Sequence, residues 1–286
     1  MTAPALQAKP LAIQLKNGDT IHAEPVPEES DDTITVVIHP QLGRLEINNA
    51  SIQPTPDPPA WSSSLAAGMV GVTENDGNSV TVNLNASSTY KRNADKIALK
   101  AETNYNQIKN KGEAVDVKTD KGSASIRYDR KLNETLNLFS SGSYDYNGLN
   151  DASINTVKAS IGAGFPIMQS ETTELVLSAG PTLQWSGGGH ECASNAFCGN
   201  TYPGGAFTTQ LNWTPNRSFK INLDNALAVL AANTEVKPTN TFTATIKYFP
   251  SFNSGLFTSI QFKSIYNSIA VPQTSNTLSG QVGLEF

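Results

Sequence analysis

The chain has 286 residues, of which 38% are hydrophobic and 16% are charged, and its 20 basic and 25 acidic residues give a formal net charge of −5. The basic residues form no stripe, which excludes nucleic acid as an expected partner. No run of about 18 apolar residues occurs, which excludes a membrane-spanning helix and a complete secretory signal.

The first sixty residues divide into three segments. Residues 1–10 contain small residues of the kind that precede a signal-peptidase site, and we interpret them as a tail, either a signal remnant or a mature start. Residues 11–53 carry short alternating runs, two of them joined by Asn17 and Gly18, which predicts a hairpin in a small β domain. Residues 54–60 are rich in proline, which cannot pair within a sheet, and they predict a linker.

From residue 61 to residue 286, apolar and polar residues alternate in about twelve segments, a period typical of strands with one buried face. The predicted strands begin near Trp61, Ser79, Lys96, Asp120, Thr135, Ser153, Thr172, Gly205, Ser218, Thr241, Gly255 and Asn276. We therefore predict an all-β fold, an antiparallel up-and-down transmembrane β-barrel of about 12 strands, preceded by the small N-terminal β domain.

Two features favour a membrane barrel over a soluble β-sandwich, which also buries one face of every strand. Tight connections, such as those at 93–95, 133–134 and 214–217, alternate with longer ones near 109–118, 147–153, 186–204, 231–240 and 267–276. Aromatic residues lie near strand ends, where they would form girdles at two membrane interfaces. One predicted rim contains Trp61, Tyr90, Tyr128, Phe165, Trp213, Phe219, Tyr248 and Phe286, and the other Tyr105, Tyr144, Tyr146, Trp185, Phe207, Phe242 and Tyr266.

The second face of the strands is polar and carries charges of both signs. With lipid outside the barrel, these residues would line its lumen and form ion pairs across it. The alternative is that they are the solvated face of an open sheet. The predicted lumen-facing charges are Lys100, Glu102, Arg127, Asp129, Lys158, Asp224, Lys247, Lys263 and Glu285.

The two cysteines, Cys192 and Cys198, lie six residues apart between glycines. An even cysteine count in a short loop favours a disulfide and an oxidising compartment. The alternative is a metal site that combines both thiols with His190 and Glu191. Structural zinc usually takes a second closely spaced ligand pair, and the sequence offers none, so we predict the disulfide and no metal.

The chain ends on "QVGLEF", in which Val282, Leu284 and Phe286 share one strand face. A final strand of this kind can close a barrel by pairing with the strand that begins at Trp61, which removes the exposed sheet edge. A carboxy-terminal aromatic residue resembles the signal by which outer-membrane barrels are recognised for insertion. We therefore predict that Phe286 is an assembly signal and that the barrel insertion machinery is a partner.

Three stretches of the chain carry a family resemblance: "GNS" at 77–79, the run from Arg127 to Asn147 and the run from Asn150 to Ile167. With them, the sequence from about Trp61 to Phe286 resembles the YdiY-like family of salt-induced outer-membrane proteins. The last run lacks the arginine expected around positions 155–157. The resemblance implies an outer-membrane location in a Gram-negative-type bacterium and a domain without assigned chemistry.

Catalytic candidates are few, because the chain contains only His22, His39 and His190. The first two lie in the N-terminal domain and the third in the cysteine loop, and no serine has an adjacent histidine or a nucleophile-elbow pattern. We predict no catalytic activity and no cofactor. The predicted function is a structural role in the envelope or a narrow passive channel for small solutes, with lipid around the barrel and the N-terminal domain in the periplasm. The alternative is a soluble secreted β-sandwich or adhesin.

Overall fold

The computed structural model describes residues 11–53, 60–74, 77–151, 153–194, 197–232, 235–251, 254–268 and 273–286. Its contacts divide the chain into two units, 1–59 and 60–286. The predicted tail 1–10 and residues 54–59 of the predicted linker lie outside the described residues. The described helices are three single 3-10 turns, Pro27–Glu29, Asn49–Ser51 and Cys192–Ser194. In the part of the chain that is described, no helix has the length and apolar character needed to cross a membrane.

The N-terminal unit is a four-stranded antiparallel sheet. Its strands are β1 (Leu11–Gln14), β2 (Thr20–Pro25), β3 (Ile34–His39) and β4 (Gly43–Asn48), which lie side by side in chain order. The predicted hairpin joins β1 to β2, and Gly18 adopts the positive φ of +95° that its turn requires. Alternate residues form a small core around Ile13, Ala23, Val37 and Ile47.

A carboxylate organises the turn before β3. Asp31 Oδ1 accepts hydrogen bonds from the Thr33 hydroxyl at 2.7 Å and from the backbone amides of Thr33 and Ile34 at 2.7 and 2.8 Å. The hydroxyl hydrogen bond, followed by the two amide hydrogen bonds, lowers the pKa of Asp31 below its usual range.

The second unit is a closed barrel of twelve antiparallel strands, in which each strand pairs with its neighbours in chain order. The strands are β5 (Trp61–Glu74), β6 (Gly77–Arg92), β7 (Asp95–Asn110), β8 (Asp116–Lys131), β9 (Asn137–Asn147), β10 (Asn155–Gln169), β11 (Thr173–Gly187), β12 (Thr201–Asn216), β13 (Phe219–Ala232), β14 (Glu235–Tyr248), β15 (Leu256–Asn267) and β16 (Thr274–Glu285).

The last strand closes the barrel on the first. β16 pairs with β5 from Val282 opposite Ala67 to Glu285 opposite Ser64. The backbone of Phe286 extends this ladder, because its N–H donates to the Ser63 carbonyl at 2.9 Å and its carbonyl accepts from the Ser63 N–H at 2.7 Å. The closed sheet confirms the predicted barrel and excludes the two-layer sandwich.

The predicted alternation of connection lengths holds only in part. Long connections occur at 111–115, 148–154 and 188–200, but the predicted loop at 231–240 is wrong because β13 and β14 stay paired up to Ala232 opposite Glu235. At the opposite end, which carries both barrel termini, the connection 249–255 is longer than the tight connections predicted at 93–95, 133–134 and 214–217. We call the two ends of the barrel the loop end, with 188–200, and the terminal end, with Trp61 and Phe286.

The outer face of the barrel is apolar. Outward side chains such as Leu65, Met69, Ile161, Ile260 and Leu278 are more than half exposed. Outward aromatic residues lie towards both ends, and two pairs stack across neighbouring strands near the terminal end, Trp61 with Tyr90 and Phe219 with Tyr248. The barrel therefore presents its apolar side chains to its surroundings and its polar side chains to its lumen.

Candidate functional site

The polar lumen is the candidate functional site, and it contains all nine predicted charges. The structure pairs Lys100 with Asp224, Lys263 with Glu102, Arg127 with Asp129 and Lys247 with Glu285. The ninth, Lys158, lies 3.9 Å from Asp145. Along each strand these charged side chains alternate with the exposed apolar ones, because successive side chains of a β-strand point to opposite faces.

The Lys100–Asp224 ion pair crosses the lumen. Its Nζ–Oδ2 distance is 2.8 Å, and β7 and β13 are six strands apart in either direction around the ring. A circular barrel of twelve strands about 4.8 Å apart and tilted by about 40° would be roughly 24 Å across. Extended lysine and aspartate side chains in contact span roughly 13 Å. The barrel is therefore pinched at this height.

Three further contacts join strands that lie four apart around the ring, and with Lys100–Asp224 we call them the crossbars. Lys96 on β7 lies 3.8 Å from Glu174 on β11, Glu102 on β7 contacts Lys263 on β15, and Lys121 on β8 donates to the Ser275 hydroxyl on β16 at 2.5 Å. When the four crossbars are taken in order from the terminal end to the loop end, the strand contacted by β7 or β8 is β11, then β13, β15 and β16. The crossbars thus cross the lumen at several heights.

Near the terminal end the lumen contains an aromatic and ionic group that we call the basal cluster: Phe249, Phe257, Lys220, Lys247 and Glu285. The two rings lie 5.5 Å apart and are almost completely buried. Lys220 and Lys247 both contact the Glu285 carboxylate, and the Lys247 ammonium lies 4.3 Å from the centre of the Phe257 ring. Cation–π and ion-pair contacts therefore hold the basal cluster together.

A second buried group lies on the opposite wall. Arg127 donates to Asp129 with a shortest distance of 2.8 Å, and both side chains are at least 85% buried. The guanidinium lies 4.3 Å from the centre of the Phe139 ring and donates to the Ser178 hydroxyl at 3.0 Å. Because a buried arginine needs both charge compensation and hydrogen-bond acceptors, this group fixes β8 against β9 and β11.

In the half of the barrel towards the loop end, the lumen contains a cavity with about 1100 Å³ of atom-free space, part of it continuous with solvent. Carboxamides and hydroxyls dominate its lining, and the charged lining residues are Glu102, Lys121, Asp145, Lys158 and Lys263. The lining includes five successive inward positions of the β15–β16 connection and β16, from Gln273 to Gln281. The crossbars of Lys121 and Lys263 therefore border this cavity.

The cysteine loop lies at the loop end. Cys192 and Cys198 form the predicted disulfide, with Cα atoms 5.1 Å apart, so neither thiol is available for the alternative metal site. Phe197 packs against Tyr202 and the fully buried Leu230, and the Lys237 ammonium lies 4.6 Å from the centre of its ring. Within the described residues, no group of three or more His, Cys, Asp or Glu side chains could hold a metal.

The three histidines belong to other parts of the chain than the barrel strands. His22 and His39 belong to the N-terminal unit and His190 to the connection 188–200. His39 Nδ1 accepts the backbone N–H groups of Gln41 and Leu42 at 3.1 and 3.2 Å, which is a turn-stabilising role. Among the described residues that line the cavity of the barrel there is no histidine.

Sequence reasoning missed several lumen residues. Lys96, Lys121 and Lys220 have the same inward alternation as the predicted charges, and this alternation could have identified them. Phe139, Phe249 and Phe257 were missed because aromatic residues were expected only on the apolar face. An aromatic residue at a polar position of the alternation was the available signal.

The family of the chain follows from its sequence. Residues 68–284, from within β5 to near the end of β16, match the family described as "Protein of unknown function, DUF481". The chain belongs to this family. This DUF481 assignment agrees with the YdiY-like resemblance and covers most of the barrel. Among curated proteins, none matches the sequence.

Solved structures similar to the DUF481 chain include three barrels. The COG4313 outer membrane channel from Pseudomonas putida F1 has a TM-score of 0.45 at 10% identity and covers 80% of this chain and 96% of its own. The translocator domain of the autotransporter NalP from Neisseria meningitidis has a TM-score of 0.42 at 11% identity, and the match covers 79% of this chain and 86% of that domain. The KdgM porin has a TM-score of 0.39 at 10% identity, and the match covers 79% of this chain and 98% of the porin chain.

Proposed function

We propose that the protein is an outer-membrane β-barrel with a structural role in the cell envelope, and that its occluded lumen passes small solutes at most. The observation that carries this proposal is the Lys100–Asp224 ion pair, which joins strands on opposite sides of the ring. A wide pore leaves opposite walls out of reach of each other, whereas here side chains span the lumen.

The outer face supports the membrane location. Soluble monomers rarely expose large continuous apolar patches, and here exposed leucine, isoleucine, valine and methionine side chains surround a closed barrel. In lipid, every backbone polar group must be paired within the protein, and a closed barrel meets this condition because it has no free edge. Lipid is therefore the proposed partner of the outer face.

The orientation in the membrane is also proposed. Both barrel termini lie at the terminal end, so the segment that leads to the N-terminal unit emerges there. Outer-membrane barrels have their short turns on the periplasmic side, so we assign the terminal end and the N-terminal unit to the periplasm. The partner of that unit is not assigned. Phe286 remains the proposed signal for the barrel insertion machinery.

We also propose that the barrel has no catalytic activity. General acid–base and nucleophilic catalysis in envelope hydrolases need a poised nucleophile with a base beside it. The lumen offers lysines, carboxylates, amides and hydroxyls, and its carboxylates Glu102, Asp224 and Glu285 are engaged with lysines in the crossbars and the basal cluster.

A narrow channel is the second candidate function. The observation that favours it is the cavity at the loop end, which reaches past the middle of the barrel before the lumen fills with side chains. On this interpretation, small solutes pass the crossbars when individual ion pairs break. The two candidates differ in whether the resting barrel conducts at all.

Two measurements test these proposals. First, unheated protein should migrate differently from boiled protein on a denaturing gel, because a closed barrel unfolds slowly. A single mobility, together with folding in the absence of detergent, would favour the soluble alternative.

Second, planar-bilayer recording should give silence or only small steps for the wild type. Larger steps should appear in the double variant Lys100→Ala, Asp224→Ala. The matched control is Asp116→Ala, which removes a carboxylate from the exposed Asp116–Lys118 pair at the start of β8 and should leave conductance unchanged. Large steady wild-type currents would refute the occluded lumen.

A further inference from the structure

The cavity at the loop end has a lining suited to a small polar ligand. Its volume is about 140 Å³, close to the roughly 150 Å³ of a protein cavity that binds benzene, and it opens to solvent. Small-molecule sites use a few well-placed polar groups for orientation. The remaining question is which chemistry the lining selects.

The charge of the lining favours an anion. Its described charged residues are three lysines, Lys121, Lys158 and Lys263, against the two carboxylates of Glu102 and Asp145. Lys263 is paired with Glu102, and Lys158 lies 3.9 Å from Asp145. The cavity therefore contains one positive charge in excess.

Lys121 carries this excess charge. Its ammonium donates to the Ser275 hydroxyl at 2.5 Å, and among the described side chains no carboxylate oxygen lies within 4.0 Å of it. An ammonium has three N–H donors, so it can bind a ligand anion while it keeps the contact with Ser275. An anion at this position would gain a charge-assisted hydrogen bond in a partly dehydrated space.

A second unsatisfied donor lies along the same wall. Gln281 lines the cavity, is 93% buried, and its Nε2 has no hydrogen-bond partner among the described residues. A buried amide donor without a partner costs free energy that a ligand acceptor can recover. Between Lys121 and Gln281, the hydroxyls of Thr277 and Ser279 line β16 and can both donate and accept.

We propose that this cavity is a binding site for a small hydroxylated monoanion, that is, a polyhydroxy carboxylate. The carboxylate pairs with the Lys121 ammonium beside Ser275, and the hydroxyls of the ligand exchange hydrogen bonds with the neighbouring serine and threonine side chains of β16. The proposal names a ligand class for the lumen of the proposed barrel and rests on that barrel being folded and closed.

The test uses three compounds with the same six-carbon skeleton and different charges: gluconate, neutral sorbitol and cationic glucamine. Binding to the full-length protein in an uncharged detergent is measured by isothermal titration calorimetry at low salt. We expect gluconate to bind at least about tenfold more tightly than sorbitol, because one charge-assisted hydrogen bond is worth about 1.4 kcal/mol or more. Glucamine should bind most weakly.

Three variants assign the preference to one residue. Lys121→Met should remove the preference for gluconate over sorbitol, and Lys121→Arg should retain most of it. Lys109→Met is the matched control, because it removes the same charge from an exposed position on β7 that does not line the cavity.

Each outcome decides the proposal. Equal binding of gluconate and sorbitol, tighter binding of glucamine, no binding of any compound, or an undiminished preference in Lys121→Met would each overturn it. The heat-dependent gel shift is recorded first for every variant. A missing shift in the wild type contradicts the proposed barrel itself, whereas a normal shift without gluconate binding contradicts only the ligand site.

Discussion

The basal cluster provides the sharpest test of the occluded lumen, through the substitution Phe257→Ala. The Phe257 ring is 1% exposed and packs against Phe249 and Ala66, with the Lys247 ammonium over its face. The substitution removes the ring and leaves a void where the lumen is now filled at the terminal end. It should therefore lower stability and open the lumen at the same time.

The expected loss of unfolding free energy is about 3–5 kcal/mol, the usual cost of removing a buried phenylalanine ring. This value already includes the ring–ring contact, worth about 0.5–1.5 kcal/mol, and a cation–π contact of about 0.5–2 kcal/mol. Water from the lumen can hydrate the new void, so we expect a value near the lower limit.

The assay is urea unfolding of the protein in phosphatidylcholine vesicles, followed by tryptophan fluorescence, together with planar-bilayer recording. The control is Phe262→Ala on the same strand, whose ring faces outward and is 39% exposed. The control should lose stability through lost apolar burial, by about 1.5–3 kcal/mol, without a change in conductance. If Phe257→Ala costs less than about 1 kcal/mol and leaves the conductance unchanged, the plug interpretation is refuted.

Three further predictions concern other parts of the chain. Deletion of Phe286 should reduce membrane assembly in cells, measured by outer-membrane fractionation. The variant Phe286→Ala keeps the backbone pairing, so an equal loss of assembly in both variants assigns the signal to the side chain. Normal insertion of both variants contradicts the proposed signal. Gly283→Ala should cost about 1–3 kcal/mol in the urea assay, because its methyl would lie 2.5 Å from the Phe257 ring, whereas Gly280→Ala, with nothing within 4 Å of its Cβ, should be nearly neutral. The folded state lowers the pKa of Asp31, so its contribution to stability is complete above the unfolded pKa and is lost as the pH falls below about 4. The hydrogen-exchange protection of peptides covering residues 30–50, measured against the unstructured chain at the same pH, should therefore fall there in the wild type. The same acid profile in Asp31→Asn as in the wild type would contradict this role.

The strand count of the barrel could be predicted from the sequence because alternation is a local property. Eleven of the twelve predicted strand starts lie within four residues of the observed ones, for example Lys96 against Asp95 for β7 and Thr172 against Thr173 for β11. The exception is Thr241, six residues after Glu235, where β14 begins. Side chains on a strand alternate between lipid and lumen whatever the partner strand is, so hydropathy alone reveals the pattern.

The predicted loop at 231–240 failed for a physical reason. Lys237 and Thr239 are polar and resemble loop residues, but both belong to β14, and Thr239 is buried in the lumen. A wet lumen accepts polar side chains along the whole strand, so polarity does not mark the strand end as it does in a soluble sheet.

The sequence by itself determined the fold class, the disulfide and the inward face of the charged residues, because each depends on spacing along a short stretch of chain. Only the tertiary structure decided which charges meet. Lys100 and Asp224 are 124 residues apart and come into contact because the ring closes and is pinched between β7 and β13. The same closure places the Phe257 ring against the Lys247 ammonium and leaves Lys121 without a carboxylate partner. Contacts across a lumen depend on the diameter and stagger of the whole ring, and no local segment of the sequence encodes these two quantities.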